Sequence, residues 1–360
     1  MSLQSRALIL DQLQAQLKSP VLSYVTGDRP GLGTQIASDQ LLLFPRHLAA
    51  LEDHDQLNLV LYTRGGETAA AWPIMSFIRE HCKKLRVLVP FYAHSAGTLL
   101  ALGADEIVMT RYATLSPIDP TVANMFNPQD PTNPANRMQI AVEDVMAFLE
   151  LAKHNAAEPS LRDDAFRKLA DSVHPLALGN VQRSINQIRQ LARKMLALHA
   201  SPKKTDQIDA LVNALTTELY SHQHLVNRRE ATGVGLHVTS ASEKVEALLL
   251  QYYEQLCEDL QLREQFDPAS ILRAALAAPG AATGQGPAPT VPSAALTVPV
   301  MVEQGYVETA KTCDAYVTEG QISQIATQQQ QQVPGFQIPL NVPQMATKFE
   351  VFSGRWRQLA

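Results

Sequence analysis

Cysteine is scarce: Cys82, Cys257 and Cys313 are the only three in 360 residues. An odd, scattered set offers neither a disulfide framework nor the spacing of a metal site, and fits a reducing compartment. Basic charge is also short, with 30 Lys and Arg against 35 Asp and Glu and a net charge of −5. Nothing in that balance asks for nucleic acid or an acidic membrane surface. No apolar run reaches spanning length, because Asp105 and Glu106 interrupt the best candidate. Residues 1–19, MSLQSRALILDQLQAQLKS, are polar and helix-like, unlike a signal peptide or a membrane anchor. No G-x-G-x-x-G follows a strand and no Walker sequence occurs, which counts against a nicotinamide or ATP site. The expectation from these absences is a soluble cytoplasmic protein with no cofactor and no metal.

What is present alternates between strand and helix. Residues 4–18 form an amphipathic pattern with Ile9, Leu13 and Leu17 on one face. Strands are expected at 21–26, 57–62, 85–89 and 106–109, and helices at 36–51, interrupted at Pro45, and at 69–82. Such β-α-β-α-β order predicts a mostly parallel sheet with helices packed on it. Residues 122–136 read as loop, and further helices are expected at 138–155, 161–172, 180–199 and 242–262. Residues 278–299 are rich in Pro, Gly, Ala and Thr and read as a flexible linker. Beyond it, 300–360 holds short β-like runs and a Gln tract at 328–332. That tail reads as a small, β-rich or partly disordered appendage, either a partner-binding arm or a solvated end.

The stretch LRVLVPFYAHSAGTLLALGADEIVM, residues 85–109, carries the chemistry. A buried strand stops at Pro90, and a buried helical run begins after His94-Ser95-Ala96-Gly97-Thr98. A serine where a strand turns into a helix is exposed to reagents. It also lies beside N–H groups that the first helical turn leaves free. Serine is equally a common N-cap, so the turn alone does not decide. An earlier stretch, LNLVLYTRGGE at 57–67, ends a strand in Gly65-Gly66 just before a helix. Paired glycines there open backbone N–H groups to a ligand. Strand–Gly-Gly–helix followed by strand–Ser-x-Gly–helix is far more specific than either part.

These residues resemble the Clp-protease and crotonase-type superfamily. More narrowly they resemble the serine dehydrogenase proteinase family, a relative of Clp protease and signal peptide peptidase A. Thr63-Arg64-Gly65-Gly66 stands for the family's T-P-G-G, and HSAGTLLALGADEIVM follows at 94–109. Leu115-Ser116-Pro117-Ile118-Asp119-Pro120 stands for its L-G-P-x-D-P, and Glu230-Ala231 with Gly235-Leu236 for its closing E-A-x-x-x-G-L. Arg64 departs from the usual Pro and Ser116 from the usual Gly. The resemblance covers residues 20–245. It implies an α/β fold of the Clp/crotonase type, a repeated ββα spiral with helical insertions, and an assembly of identical subunits.

For the site, the resemblance implies Ser95 as nucleophile, Asp119 as orienting carboxylate and His222 as general base, an altered order relative to Clp protease. It implies an oxyanion hole from the N–H groups of Gly65 and Ala96. Several rivals stay open. Asp119 can be a simple turn residue, and His222 with His224 a core or surface pair. His174 and Lys153 are alternative bases, the latter as in a Ser–Lys dyad, although a neutral Lys needs a desolvated site. His94 adjoins Ser95, but neighbours on such a turn point apart. The expected division is an N-terminal helix at 1–19, a proteinase domain at 20–277, the linker at 278–299 and the tail at 300–360. The expected function is a serine peptidase cleaving polypeptide through an acyl-enzyme. The alternatives are a catalytically weak scaffold on the same fold and a crotonase-type acyl-CoA enzyme, which would not need Ser95.

Overall fold

The computed structural model describes residues 2–51, 54–118, 121–122, 125–130, 132–133, 136–138, 140–155, 159–218, 224–277, 297–331 and 340–359. The chain opens with helix α1 (Ser2–Leu17) and strand β1 (Val21–Thr26). A tight helical turn, Ser38–Leu42, leads to α2 (Phe44–Leu51). Pro45 does not break this helix; it occupies the first turn, where its missing N–H leaves no hydrogen bond unmade. Next come β2 (His54–Tyr62), α3 (Thr68–Glu80) and β3 (Cys82–Val89). The two-residue β4 (Tyr92–Ala93), α4 (Ala96–Ala101), β5 (Glu106–Met109) and β6 (Thr114–Leu115) follow. Then come β7 (Thr121–Val122), β8 (Ile140–Ala141), α5 (Val142–Asn155), α6 (Pro159–Ser172), α7 (Pro175–Leu196) and α8 (Thr205–Asn213). The chain continues with β9 (Val226–Asn227), α9 (Arg228–Gly233), β10 (Val238–Ser240), α10 (Glu243–Asp259) and α11 (Pro268–Ala277). Three long strands end it: β11 (Thr297–Glu308), β12 (Cys313–Gln331) and β13 (Leu340–Gln358).

An eight-stranded sheet runs in the order β10-β5-β3-β2-β1-β11-β12-β13. The strands from β10 to β1 are parallel, as the β-α alternation requires, and β11, β12 and β13 add on antiparallel. Period-two alternation sends Leu59 and Leu61 to one face, against Ile74, Met75 and Leu100 of α3 and α4. It sends Val60 and Tyr62 to the other, against Leu13 of α1 and Leu249 and Tyr252 of α10.

A second layer of short strands lies beyond the ends of the parallel ones. β4, β6 and β9 form a three-stranded sheet. Isolated bridges extend it, Thr63 to Ala93 and Gly66 to Ile36. Each main strand thus runs into a short second strand before its helix, which is the repeated ββα spiral expected. The spiral delivers Gly65-Gly66 and the residues after β4 to the same end of the sheet.

The last 60 or so residues, read as a small β-rich or partly disordered tail with short runs, form long strands where described. β11 pairs with β1, Ser23 opposite Glu308 and Thr26 opposite Gly305, so this segment lies inside the sheet. Of the linker expected at 278–299, residues 278–296 lie outside the described residues and 297–299 belong to β11. Arg6 of α1, fully buried, bonds Glu308 through Nε at 3.0 Å, bonds Asp259 of α10, and sits 3.7 Å over the Tyr306 ring. Hydrophobic periodicity missed this because the ladder is closed by backbone pairing and buried polar groups as much as by apolar bulk. No helix among the described residues is long and apolar enough to cross a membrane.

Candidate active site

Ser95 stands between β4 and α4 with φ +52° and ψ −115°. A side chain at positive φ is strained by about 1–3 kcal/mol and persists only when its surroundings hold it there. Here the surroundings are a set of hydroxyls. The Ser95 N–H donates to Ser116 Oγ at 2.7 Å, and that hydroxyl donates to the Pro117 carbonyl at 2.8 Å. The Ser116 N–H donates to Thr98 Oγ1 at 3.0 Å, and Thr98 Oγ1 donates to the Ala93 carbonyl at 2.7 Å. Both sides of the elbow are therefore tied, one through β6 and one through the first turn of α4. Ser95 does not act as an N-cap: its side chain makes no capping bond. Its Oγ makes no hydrogen bond to the described residues, and the residue is partly exposed.

The glycine pair closes on this elbow. A Cβ on Gly65 would lie 2.7 Å from Ser95 Cβ and 2.9 Å from the His94 carbonyl, and Gly65 has φ +108°. Only glycine fits that contact. The Gly65 N–H donates to Thr63 Oγ1 at 2.9 Å, and Thr63 Oγ1 in turn meets Thr26 Oγ1 at 2.5 Å. The donor expected from Gly65 is thus already engaged. Gly66 differs. Ile36 pairs with this segment through the Gly65 carbonyl and the Glu67 N–H, both at 2.8 Å. In such a ladder the intervening N–H, that of Gly66, points away from Ile36. Among the described residues it has no partner, and neither has the first-turn N–H of Ala96.

Asp119 and His222 lie outside the described residues. Their described neighbours meet. β4 pairs with β6, Ala93 opposite Leu115, and β6 pairs with β9, Leu115 opposite Val226. The Ile118 N–H donates to the Leu215 carbonyl at 3.1 Å. The sequence flanks of Ser95, Asp119 and His222 therefore converge on one small sheet.

The rival bases are elsewhere engaged. Lys153 is exposed on α5, 3.4 Å from Glu150. His174 caps α7, its Nδ1 accepting from the Leu176 N–H at 3.2 Å while its ring stacks on Phe126. His224 Nε2 lies 2.6 Å from Glu230 Oε1, so it pairs with a carboxylate of α9. His94 is buried with Nε2 2.8 Å from Thr114 Oγ1. Neither Lys153 nor His174 bonds Ser95. Among the described residues no group of three His, Cys, Asp or Glu could hold a metal ion.

Sequence reasoning missed the hydroxyls of Thr63, Thr98 and Ser116. The one available sign was Ser116 itself, a polar residue where the resembling family has glycine. Arg64, the other departure, bonds Asp28 through Nε at 2.6 Å and lies 3.8 Å over the Tyr92 ring.

A parallel α/β spiral with a serine on a strained strand-to-helix elbow beside a glycine pair defines a Clp-type serine hydrolase scaffold. Residues 38–270 match the model of the ClpP-like SDH-type serine proteinases, and the chain belongs to that family. It is 29% identical over 208 residues to the uncharacterized protein MJ0137 of Methanocaldococcus jannaschii, covering 58% of this chain and 62% of that protein. A second protein of that organism, uncharacterized MJ1495, is 41% identical over 66 residues, 18% of this chain and 23% of its own length. The chain thus spans less than two thirds of either relative. Among solved structures, a substrate-peptide complex of a variant of the 1510-N membrane-bound stomatin-specific protease shares 17% identity. It has a TM-score of 0.35 and covers 57% of this chain and 71% of that one. A ClpP1 variant from Listeria monocytogenes shares 11% identity with a TM-score of 0.34, over 65% of this chain and 99% of that one.

Proposed function

We propose that this protein is a serine peptidase that opens a peptide bond through an acyl-enzyme. The observation that carries the reading is the Ser95 elbow, held at positive φ against Gly65 with its hydroxyl unbonded among the described residues. Ser95 Oγ attacks the carbonyl carbon. The oxyanion that forms is received by two N–H groups, that of Ala96 and that of Gly66, rather than that of Gly65, which Thr63 holds. His222 takes the serine proton and returns it to the leaving amine, and Asp119 steadies the imidazolium. The supporting fact for these two roles is the convergence of their flanks on β4, β6 and β9. The substrate is an extended polypeptide, laid along a sheet edge. The family relation supports a homo-oligomer, and three free, buried cysteines support the cytoplasm.

The test is covalent labelling by a fluorophosphonate probe, with the labelled residue mapped by mass spectrometry. Label is expected on Ser95, lost in Ser95→Ala and in His222→Ala, and retained in Lys153→Ala and His174→Ala. A folded wild type that takes no label, or a Ser95→Ala variant that still cleaves peptide, would overturn the peptidase reading and leave a scaffold. Loss of label in Lys153→Ala alone would replace the triad by a Ser–Lys dyad.

A further inference from the structure

We infer that Ser116 is a positioning residue that fixes the reactive orientation of Ser95, a task the resembling family's glycine at this place cannot perform. The inference rests on the reading of Ser95 as nucleophile. Ser116 is 3% exposed and stands one residue past β6. Its hydroxyl has two engagements of opposite sense. It accepts from the Ser95 N–H at 2.7 Å and donates to the Pro117 carbonyl at 2.8 Å. A hydroxyl whose proton is directed to a carbonyl can no longer rotate freely, so its lone pairs are fixed, and one of them faces the strained N–H. The Ser116 backbone is itself immobilised by Thr98 Oγ1, a residue of the helix that Ser95 precedes.

Two consequences follow from this geometry. First, the Ser95 N–H is removed from the pool of oxyanion donors, so that the Ala96 N–H is the one left beside the nucleophile. Second, Ser116 adjoins Leu115, which pairs with Val226, and lies two residues from Ile118, which bonds Leu215. The stretch that orients the nucleophile is thus the stretch that anchors both sequence flanks of His222. Residue 116 holds the Ser95 turn to the segment that pairs with Leu215 and Val226, and acts on the nucleophile through its backbone N–H alone.

The experiment is the kinetics of fluorophosphonate labelling at Ser95 in wild type, Ser116→Ala, Ser116→Gly and Ser116→Thr. Ser116→Ala removes one oxygen and restores no clash, so it is the primary variant; its thermal midpoint is recorded to establish that it is folded. The maximal labelling rate is expected to fall about tenfold in Ser116→Ala and Ser116→Gly, the effect of one lost hydrogen bond on orientation. The probe concentration at half-maximal rate should stay unchanged. Ser116→Thr, which keeps the hydroxyl, should restore most of the rate. A merely structural role would lower the thermal midpoint without separating rate from half-saturation. Wild type labelled at Ser95 with Ser116→Ala labelled equally fast overturns the positioning role alone. Wild type unlabelled at Ser95 overturns the nucleophile, and with it this inference.

Discussion

Gly65 and Ser95 touch in a way that leaves room for no side chain between them. The sharpest residue-scale consequence is Gly65→Ala. The added Cβ would fall 2.7 Å from Ser95 Cβ and 2.9 Å from a backbone carbonyl that cannot rotate away, at φ +108°. The elbow must shift, and a shift of about 1 Å at a nucleophile costs roughly 100-fold in rate. Gly65→Ala should therefore lose labelling by about that factor and about 1–3 kcal/mol of stability, read by urea unfolding. A variant labelled at the wild-type rate would mean that Gly65 is not part of the site. At this scale the sequence was legible where the information is local. Ser95, Ala96 and the glycine pair each sit in a strand-to-helix junction that neighbouring residues announce. The hydroxyls were illegible because Thr63, Thr98 and Ser116 come from three successive turns of the spiral and meet only through the short-strand pairing. The choice between the N–H groups of Gly65 and Gly66 was illegible for the same reason. It depends on which way each amide points after Ile36 has paired.

At the scale of elements, the parallel half of the sheet was readable because its strands are short apolar runs bounded by turn residues. α3 carries a 3.6-residue stripe of Ala70, Ala71, Ile74, Met75 and Ile78, while α4 is an apolar run buried all round. α7 was expected at 180–199 and lies at Pro175–Leu196, with Ile188, Ala192 and Met195 in the core. The C-terminal strands were not readable. β12 ends in a run of glutamines that as sequence looks like low complexity, and its pairing with β13 is supplied by backbone register over most of its length. What fastens these strands to the body is in part apolar, through Tyr306, Val307, Ala315 and Val317, and in part polar. Arg6 bonds Glu308 and Asp259, and the Tyr252 hydroxyl donates to Glu308 at 2.6 Å. Removing one member leaves uncompensated charge in a dry site. Arg6→Met should therefore destabilise the protein by about 3–5 kcal/mol. The double variant Arg6→Met with Glu308→Gln should recover part of that loss, because the most buried orphan charge is gone. Urea midpoints of the two variants against wild type decide it. Equal losses in both would mean that Arg6 acts through its packing on Tyr306 rather than through its charge.

For the molecule as a whole, the family match begins at residue 38 and stops at 270, yet β1 and β11, which lie outside it, are interior strands of the sheet. The parts beyond the match are therefore structural members, and one of their attachments is titratable. His47 of α2 is fully buried, with Nε2 2.7 Å from Asp314 Oδ2, at the start of β12, and Nδ1 2.9 Å from Thr312 Oγ1, in the turn just before it. Arg46 bonds the same carboxylate. Burial, and then the neighbouring Arg46 cation, push the His47 imidazole down from 6.5 to about 4. The folded state thus holds this ring neutral where the unfolded chain would protonate it. Its contribution to stability is complete above pH 6.5, declines as the pH falls through the interval, and is gone below about 4. The size follows from the interval and is on the order of 3 kcal/mol. Carboxylates elsewhere also lose stability in acid, so the contribution is isolated by comparison with His47→Gln, which keeps a polar group beside Asp314 and cannot titrate. Urea unfolding at pH 7.5, 5.5 and 4.5 should give two curves that converge as the pH falls, the wild type losing more stability than the variant across this window. Parallel curves would mean that His47 is not held neutral, and that the junction between α2 and the C-terminal strands is indifferent to acid.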